Sequence, residues 1–407
     1  MLFSGTLGPT LLTGSLKTGS LAVMFDNVES LTCDRAGRLW SRWTGGHTFR
    51  RGLDGRVLEK WQENGHRKRR WLLEVQAAPL LDESAARMRS LGESIAAGRV
   101  KWIIAPEGDE LAGVIERAAQ FDARAAEHDR ERFDAVYDRI GILPPDQYLS
   151  LVLQATTGCS FNTCTFCDFY AAQRFRIKSD RAFRAHVRAV LAYMGESIRM
   201  RRSIFLGEAN ALTIPFNRLV SLMTIVREEI GDHSPRSEGE WGWPVYAFLD
   251  AFSGTQKSVD EYRRLAALGL KRVSIGLESG HDPLLDFVRK PGAAQDAVET
   301  VSALKMAGIA VSLIVLIGLG GNRYAEPHVS DTVAVLNAMP LGKGDILYFS
   351  DLVEHESTPY PALSRAAGIR PLTADETSRQ RQAIRSALRF GRGGPIVSKY
   401  DIREFVY

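Results

Sequence analysis

From residue 148 onward, short apolar runs rich in β-branched residues alternate with longer runs of helical period. The pattern predicts strands over 148–155, 203–206, 245–249, 272–277, 309–317 and 345–350. Between them it predicts helices over 179–194, 216–229, 258–268, 293–307 and 328–339. Ser258 and Glu261 have the spacing of a capping box. Gly195, Gly269 and Gly308 stand where helices stop, and Pro340 closes the last one. Six β units joined by five helices specify a parallel sheet covered by helices. No seventh or eighth unit of equal clarity follows. The expected fold class is therefore α/β, a partial (β/α)6 TIM-type barrel rather than a closed eightfold one.

The flanks read differently. Short alternating runs occupy 30–33, 38–43, 48–50 and 56–61, and Asp54-Gly55 and Asn64-Gly65 have the chemistry of hairpin turns. Helices are expected over 83–97 and 107–140, and Leu143-Pro144-Pro145 marks a boundary. Beyond the barrel, Thr373 and Glu376 form a second capping box before a helix reaching about residue 390, and the Gly-rich tail turns β-like. The expected domains are an N-terminal α+β domain over 1–147, the barrel over 148–359 and a C-terminal helical extension over 360–407.

The chain has 407 residues, of which 45% are hydrophobic and 25% charged. These are the proportions of a soluble globular protein. A net charge of +4 does not by itself call for a polyanionic partner. The longest apolar run, 309–319, is short of the ~20 residues that span a bilayer. Residues 1–25 lack the charged start and continuous apolar stretch of a secretory signal. The chain is thus expected to be cytoplasmic, without a membrane partner. Its four cysteines do not form a disulfide framework, because Cys159, Cys164 and Cys167 are clustered and Cys33 lies far upstream. Such clustering indicates a ligand site in a reducing compartment. Cys33 alone reads as a small buried hydrophobe.

The loop Cys159-Ser-Phe-Asn-Thr-Cys164-Thr-Phe-Cys167 has C-x4-C-x2-C spacing. Thiolates at this spacing suit zinc or an iron–sulfur centre. A structural zinc site wants four ligands, and the nearest downstream histidine, His186, falls inside a predicted helix. A plant-type ferredoxin needs a fourth cysteine downstream, and none follows Cys167. The third option is a 4Fe–4S cluster with three protein ligands and one iron left open. Open coordination positions are the mark of catalytic metal sites.

In parallel β/α folds the chemistry gathers at the C-terminal ends of the strands. Polar or glycine-rich groups stand at every such end: Gly207-Glu208-Ala-Asn210, Asp250, Glu278-Ser279-Gly280, Gly318-Leu-Gly320-Gly321 and Glu354-His355-Glu356. Gly318-x-Gly320 is not a dinucleotide fingerprint, since Arg323 occupies the third glycine position.

Together the cysteine loop and the strand ends resemble the radical S-adenosylmethionine (SAM) superfamily, whose commonest cysteine spacing is one residue shorter in the first gap. The resemblance covers about 148–359. It implies that Cys159, Cys164 and Cys167 bind a 4Fe–4S cluster and that Phe166 packs on the adenine of SAM. It also implies that Gly207 and Glu208 hold the methionine ammonium, matching the latter half of a Gly-Gly-Glu element. By the same resemblance Glu278 binds ribose, Lys290 contacts SAM, and the strand ending at Gly318 lines the adenine. Asn210, Asp250 and Ser279 stand at corresponding strand ends. Each has an ordinary alternative: a core aromatic for Phe166, a helix N-terminal acid for Glu208, a solvated lysine for Lys290. Glu278-Ser-Gly, Lys290-Pro and the Gly-Leu-Gly-Gly turn are similar to the Elongator-type and coproporphyrinogen-dehydrogenase-like branch.

The implied activity is reductive cleavage of SAM to a 5′-deoxyadenosyl radical that takes hydrogen from a substrate. The implied partner is a low-potential electron donor such as flavodoxin or ferredoxin. The absence of an Asp-x-His-x-x-Gly element disfavours a typical cobalamin-dependent methylase. Two other readings stand beside this one. His66-Arg-Lys-Arg-Arg70, between Trp61 and Trp71, suits contacts to nucleic acid, although a solvated hairpin loop is the commoner origin of such a run. An RNA-modifying radical SAM enzyme would combine both. A cluster- or zinc-bearing protein without turnover is the other.

Overall fold

Apolar residues alternate with Ser, Thr and Gly from the first residues of the chain, and this alternation makes strands. In the computed structural model, which describes residues 1–170, 173–231, 242–250 and 257–407, contacts divide the chain into two units. The first comprises Met1–Arg139, Arg188–Arg202 and Val406–Tyr407, and the second comprises Ile140–Val187 and Ser203–Phe405.

The first unit is built on a nine-stranded antiparallel sheet. Its strands are β1 (Leu2–Leu7), β2 (Thr10–Leu16), β3 (Ser20–Phe25), β4 (Glu29–Asp34), β5 (Leu39–Thr44), β6 (His47–Arg51), β7 (Val57–Glu63), β8 (His66–Trp71) and β9 (Val100–Ile104). The order is β8-β7-β6-β5-β4-β3-β2-β1-β9, a meander whose last strand returns beside the first. Helices α1 (Glu74–Ala96), α2 (Glu110–Ala119) and α3 (Ala123–Asp134) belong to the same unit. The core joins Phe3, Leu12, Leu21, Val23 and Leu31 of the sheet to Leu81, Met88 and Leu91 of α1 and Val114 and Ile115 of α2. Cys33 lies in that core, and burial pushes its thiol up to about 12.

Several expectations shift here. Strands β1 to β3, β8 and β9 were not expected. The single helix expected over 107–140 is two. The first ends at Ala119, and Asp122 opens the second, its carboxylate accepting a hydrogen bond from the Ala125 N–H at 2.9 Å, the geometry of an N-cap. Helix α1 starts before Pro79 rather than after it. A proline inside a helix costs about 3 kcal/mol. Burying Leu80 and Leu81 on the core side returns about 1.5–3 kcal/mol each.

The second unit follows the βα alternation. Strands β10 (Ser150–Gln154), β13 (Ser203–Gly207), β14 (Val245–Phe248), β15 (Leu270–Glu278), β16 (Ala310–Ile317), β17 (Ile346–Asp351) and β18 (Ile396–Tyr400) pair in that order, every neighbour parallel. A small antiparallel pair, β11 (Thr156–Thr157) with β12 (Arg176–Ile177), stands apart. The helices in chain order are α4 (Asp180–Met194), α5 (Phe216–Ile230), α6 (Val259–Ala267), α7 (Asp282–Phe287), α8 (Ala294–Met306), α9 (Gly321–Ala338), α10 (Tyr360–Ala366) and α11 (Ala374–Ala387). The Ser258 and Thr373 capping boxes both form. Helix α9 begins seven residues before the expected 328 and runs through Pro327. Its first turn is anchored from outside, by the Asn322 N–H donating to the Arg370 carbonyl at 3.0 Å.

The β-like tail supplies a seventh strand beyond the six expected, with Ser350 of β17 opposite Tyr400 of β18. The Tyr400 hydroxyl donates to the Leu143 carbonyl, just ahead of β10, at 2.7 Å. The curled sheet is thus joined across its open seam by a side chain rather than by a strand ladder. Among the described residues, no helix is long and apolar enough to cross a membrane.

Candidate active site

Seven parallel strands deliver seven C-terminal ends to one end of the sheet. The cysteine loop leaves β10 there and is pinned at both its base and its middle. At the base, β11 and β12 pair across it. Gly158 turns with φ +67°, and a Cβ there would come within 2.8 Å of the Gln173 carbonyl oxygen. In the middle, the Thr165 N–H donates to the Val288 carbonyl and the Tyr360 N–H donates to that of Thr165, each at 3.0 Å. Phe166 packs on a cluster that includes Leu284, Val288, Leu316 and Tyr360.

The loop forms one wall of a cavity of about 220 Å³. Cys159, Cys164, Phe166, Cys167 and Tyr170 line that wall. Asn210, Asp250 and Glu278 come from the ends of neighbouring strands, and Lys290 from the loop after α7. Leu316, Ser350, Leu352, His355, Tyr400 and Ile402 are also part of the lining.

Two polar arrangements fix the strand ends. Asn210 donates from Nδ2 to Ser160 Oγ at 2.7 Å and accepts on Oδ1 from the Asp250 N–H at 2.6 Å. It thereby ties the cysteine loop and the ends of β13 and β14. Glu278 and Lys290 form an ion pair, Nζ to Oε1 3.3 Å, with both side chains 12% exposed. Gly276 makes room for it, since a Cβ there would lie 3.2 Å from Lys290 Nζ. Burial opposes the charge on Lys290, but the Glu278 carboxylate, with Cys164 and Asp250 nearby, outweighs it and holds its pKa above the ordinary lysine value. Burial pushes the Cys164 thiol up to about 11 and the Cys167 thiol up to about 12, the other thiols and Glu278 adding to the effect. Cys164 and Cys159 are thus both electrostatic neighbours of Cys167.

The remaining candidates stand behind the cavity wall. Gly207 ends β13 and accepts from the Ala155 N–H at 2.7 Å. The Glu208 N–H donates to Thr156 Oγ1 at 3.0 Å, and its buried carboxylate accepts from Gln154 Nε2 and from the Tyr170 hydroxyl. Burial first, then Glu208 and the thiols, holds the Tyr170 hydroxyl well above the usual phenol value. Ser279 is buried against His328, Oγ to Nδ1 2.7 Å. The Gly318 N–H, at φ +90°, donates to Gln380 Oε1 at 2.8 Å. His186 accepts from the Gln154 N–H at 3.0 Å, which occupies its Nε2 with a backbone bond.

Sequence reasoning passed over Tyr170, Ser350, Tyr400 and Ile402. Tyr170 had a signal, the third residue after the last cysteine. Ser350 was visible only as a polar residue closing an apolar strand. Its Oγ is buried and has no hydrogen-bond partner among the described residues. Such a group costs about 1–3 kcal/mol unless water or a bound molecule satisfies it.

With this geometry in place, comparison with known proteins supplies the class. The family described as the radical SAM superfamily matches residues 153–330 of this chain. The family implies a 4Fe–4S cluster and SAM. No curated protein matches the chain. Among solved structures, coproporphyrinogen III oxidase (HemN) from Escherichia coli is similar at 14% identity over 61% of this chain and 53% of that one, with TM-score 0.41. Methylornithine synthase (PylB) is similar at 14% identity over 68% and 75%, TM-score 0.38. HydG, a maturase of the [FeFe]-hydrogenase, is similar at 13% identity over 81% and 71%, TM-score 0.38. The chain spans about half the length of the HemN chain.

The residues present fit the implied cluster. Three soft thiols face one cavity, and each is a suitable iron–sulfur ligand once deprotonated. Among the described residues, no three His, Cys, Asp or Glu side chains converge as a single ion would need. Thiols that each bind a different iron stand around a cluster rather than converge on a point.

Proposed function

We propose that this chain cleaves SAM reductively at a 4Fe–4S cluster on Cys159, Cys164 and Cys167 and delivers the resulting radical to a substrate in the same cavity. One observation carries the reading: all three thiols line a single cavity at the C-terminal ends of the parallel strands, together with the buried Glu278–Lys290 pair. When bound, the cluster supplies the electron that breaks the sulfonium bond and so yields the 5′-deoxyadenosyl radical. The organic chemistry belongs to the cofactor, and the protein supplies binding, orientation and dryness.

The chain's own residues divide these tasks. Phe166 offers an aromatic face, and Asn210, Asp250 and Glu278 offer hydrogen-bond acceptors and donors around it. Lys290 sets a positive charge near Cys164, which works against the upward push of burial on that thiol. Glu208 and Gly207 act at the back of the loop, where Glu208 holds Tyr170 and orients the third cysteine. Ser279 and Gly318 shape the turns after β15 and β16. Ser350, His355, Tyr400 and Ile402, with Leu316 and Leu352, form the substrate side, apolar apart from three hydrogen-bonding groups. Such a side suits a substrate that presents C–H bonds.

The Glu278-Ser-Gly and Lys290-Pro elements support the Elongator-type and coproporphyrinogen-dehydrogenase-like branch. A reducing, cytoplasmic setting suits the free thiols, and a flavodoxin or ferredoxin suits the low potential required. Anaerobic reconstitution with iron and sulfide tests the cluster itself. About four irons per chain and a cluster absorption band are expected. Cys164→Ala should lose the band. A variant that loads iron normally would contradict the ligand assignment.

A further inference from the structure

Between Thr377 and Tyr400 the chain carries Arg379, Arg381, Arg385, Arg389, Arg392 and Lys399 but no Asp or Glu. Helix α11 takes the first three. Its inner side is Gln380 and Ile384, both buried, with Gln380 accepting from the Gly318 N–H and donating to the Ala325 carbonyl. Ser378, Arg381, Gln382 and Arg385 recur at i, i+3, i+4 and i+7 and so share another side of the helix. They line a cleft of about 330 Å³ whose other wall is Phe349 of β17 with Val397 and Lys399 of β18. In the sheet register Phe349 stands opposite Lys399, and Ser350 stands opposite Tyr400. Successive residues of a strand point to opposite faces. Ser350 and Tyr400 line the cavity of the cysteine loop, so this cleft lies on the other face of the sheet.

The cations of the cleft are only partly answered. Asp351 takes Arg381 Nη2 on one oxygen and Lys399 Nζ on the other, the latter at 2.9 Å. Among the described residues Arg385 has neither a carboxylate nor an aromatic ring for a partner. Three cations and one carboxylate leave an excess of two positive charges. Arg381 and Arg385 are four residues apart, a spacing at which like charges oppose helix formation. The buried Nε of Arg381 has no hydrogen-bond partner among the described residues. The cleft is also far larger than the ~15 Å³ that holds one water.

We propose that the cleft between α11 and β18 binds the phosphoryl group of a small phosphate monoester on Arg381, Arg385 and Lys399. Such a group carries about −1.5 to −2 charges near neutral pH and three strong acceptor oxygens. The charge matches the excess of two, and the oxygens match two guanidinium forks and an ammonium. Ser378 and Gln382 add hydrogen-bonding groups on the same helix side. A phosphodiester has one charge and would leave the cleft positive. A carboxylate offers two oxygens to three cations.

The test uses the full chain without cluster or SAM, so its outcome is independent of the reading of the cysteine loop. Methyl phosphate is titrated at pH 8, and its phosphorus NMR shift and line width report binding, which should saturate. Arg385 is exposed and unpaired, so Arg385→Gln should fold normally and weaken binding roughly 10- to 150-fold, the range for a hydrogen bond to a charged group. Arg385→Lys keeps the charge without the fork and should lose less. Arg392 does not line the cleft, and Arg392→Gln should bind as the native chain does. Lowering the pH to 5.5 should weaken binding about fourfold, because with a second pKa of ~6 about a quarter of the ligand stays dianionic. No saturable binding, an unchanged affinity in Arg385→Gln, or an equal loss in Arg392→Gln would overturn the proposal. A pH-independent affinity, or equal competition by dimethyl phosphate or succinate, would overturn the assignment to a phosphate monoester.

Discussion

Replacing Lys290 by methionine removes the positive half of a buried pair and leaves Glu278 in place. The two groups are 3.3 Å apart and each is 12% exposed. At an effective dielectric of 20 their attraction is about 5 kcal/mol, before the cost of taking both out of water. That cost cancels much of the gain, so the pair as a whole adds little. Removing one partner is another matter, because it leaves a carboxylate buried near Asp250 and the thiols. A loss of about 3–5 kcal/mol is expected for such a change. The double variant Glu278→Gln/Lys290→Met removes the stranded charge and should recover at least half of that loss. The chain has two units, so a single denaturation midpoint is not a safe measure. Native-state hydrogen exchange of the β15 amides, with urea unfolding beside it, reads the change where it occurs. If Lys290→Met costs under about 1 kcal/mol and the double variant is no better, the pair is effectively solvated and does not build the cavity wall.

His328 is fully buried against Ser279, and its pKa is held down to about 4 by burial first and by His281 second. The unfolded chain binds a proton there near pH 6.5, so stability is whole above that pH and falls as pH drops toward 4. The loss amounts to roughly 3 kcal/mol at ~1.4 per pKa unit, and His328→Asn should flatten that window in pH-dependent unfolding. Gly158→Ala places a Cβ against the Gln173 carbonyl at positive φ. It should cost about 1–3 kcal/mol and lower iron loading after reconstitution. Asn210→Ala removes both bonds that tie the cysteine loop to β14. A fall of about 1–3 kcal/mol in stability is expected, and native-state hydrogen exchange of the β14 amides checks it.

Much of the second unit was legible because its strands are buried on both faces. Continuous apolar runs such as 309–317 cannot be anything but strand or buried helix, and the glycines after each helix removed the ambiguity. The cysteine loop was legible for a different reason, since three thiols at fixed spacing have few uses. What the sequence concealed depends on tertiary partners. The tail strand β18 has an ordinary composition, Ile396-Val-Ser-Lys-Tyr400, and becomes a strand because β17 offers an edge. The expected helices began at residues 83 and 328, yet each starts earlier and runs through a proline, Pro79 and Pro327. Strand β8 is almost entirely charged and forms only as the partner of β7. At the site, the strand-end carboxylates were readable as a set. Register and loop path alone decided which ones face the cavity: Glu278 and Asp250 do, whereas Glu208 turns back to Gln154 and Tyr170.

The central claim is that this chain cleaves SAM at its three-cysteine loop. Anaerobic incubation of the reconstituted protein with dithionite and SAM, with 5′-deoxyadenosine quantified by chromatography, tests it most directly. The nucleoside should form with the native chain and be absent when Cys159, Cys164 and Cys167 are all replaced by alanine. Failure of the iron-loaded native chain to form it, or equal formation by the triple variant, would contradict the account.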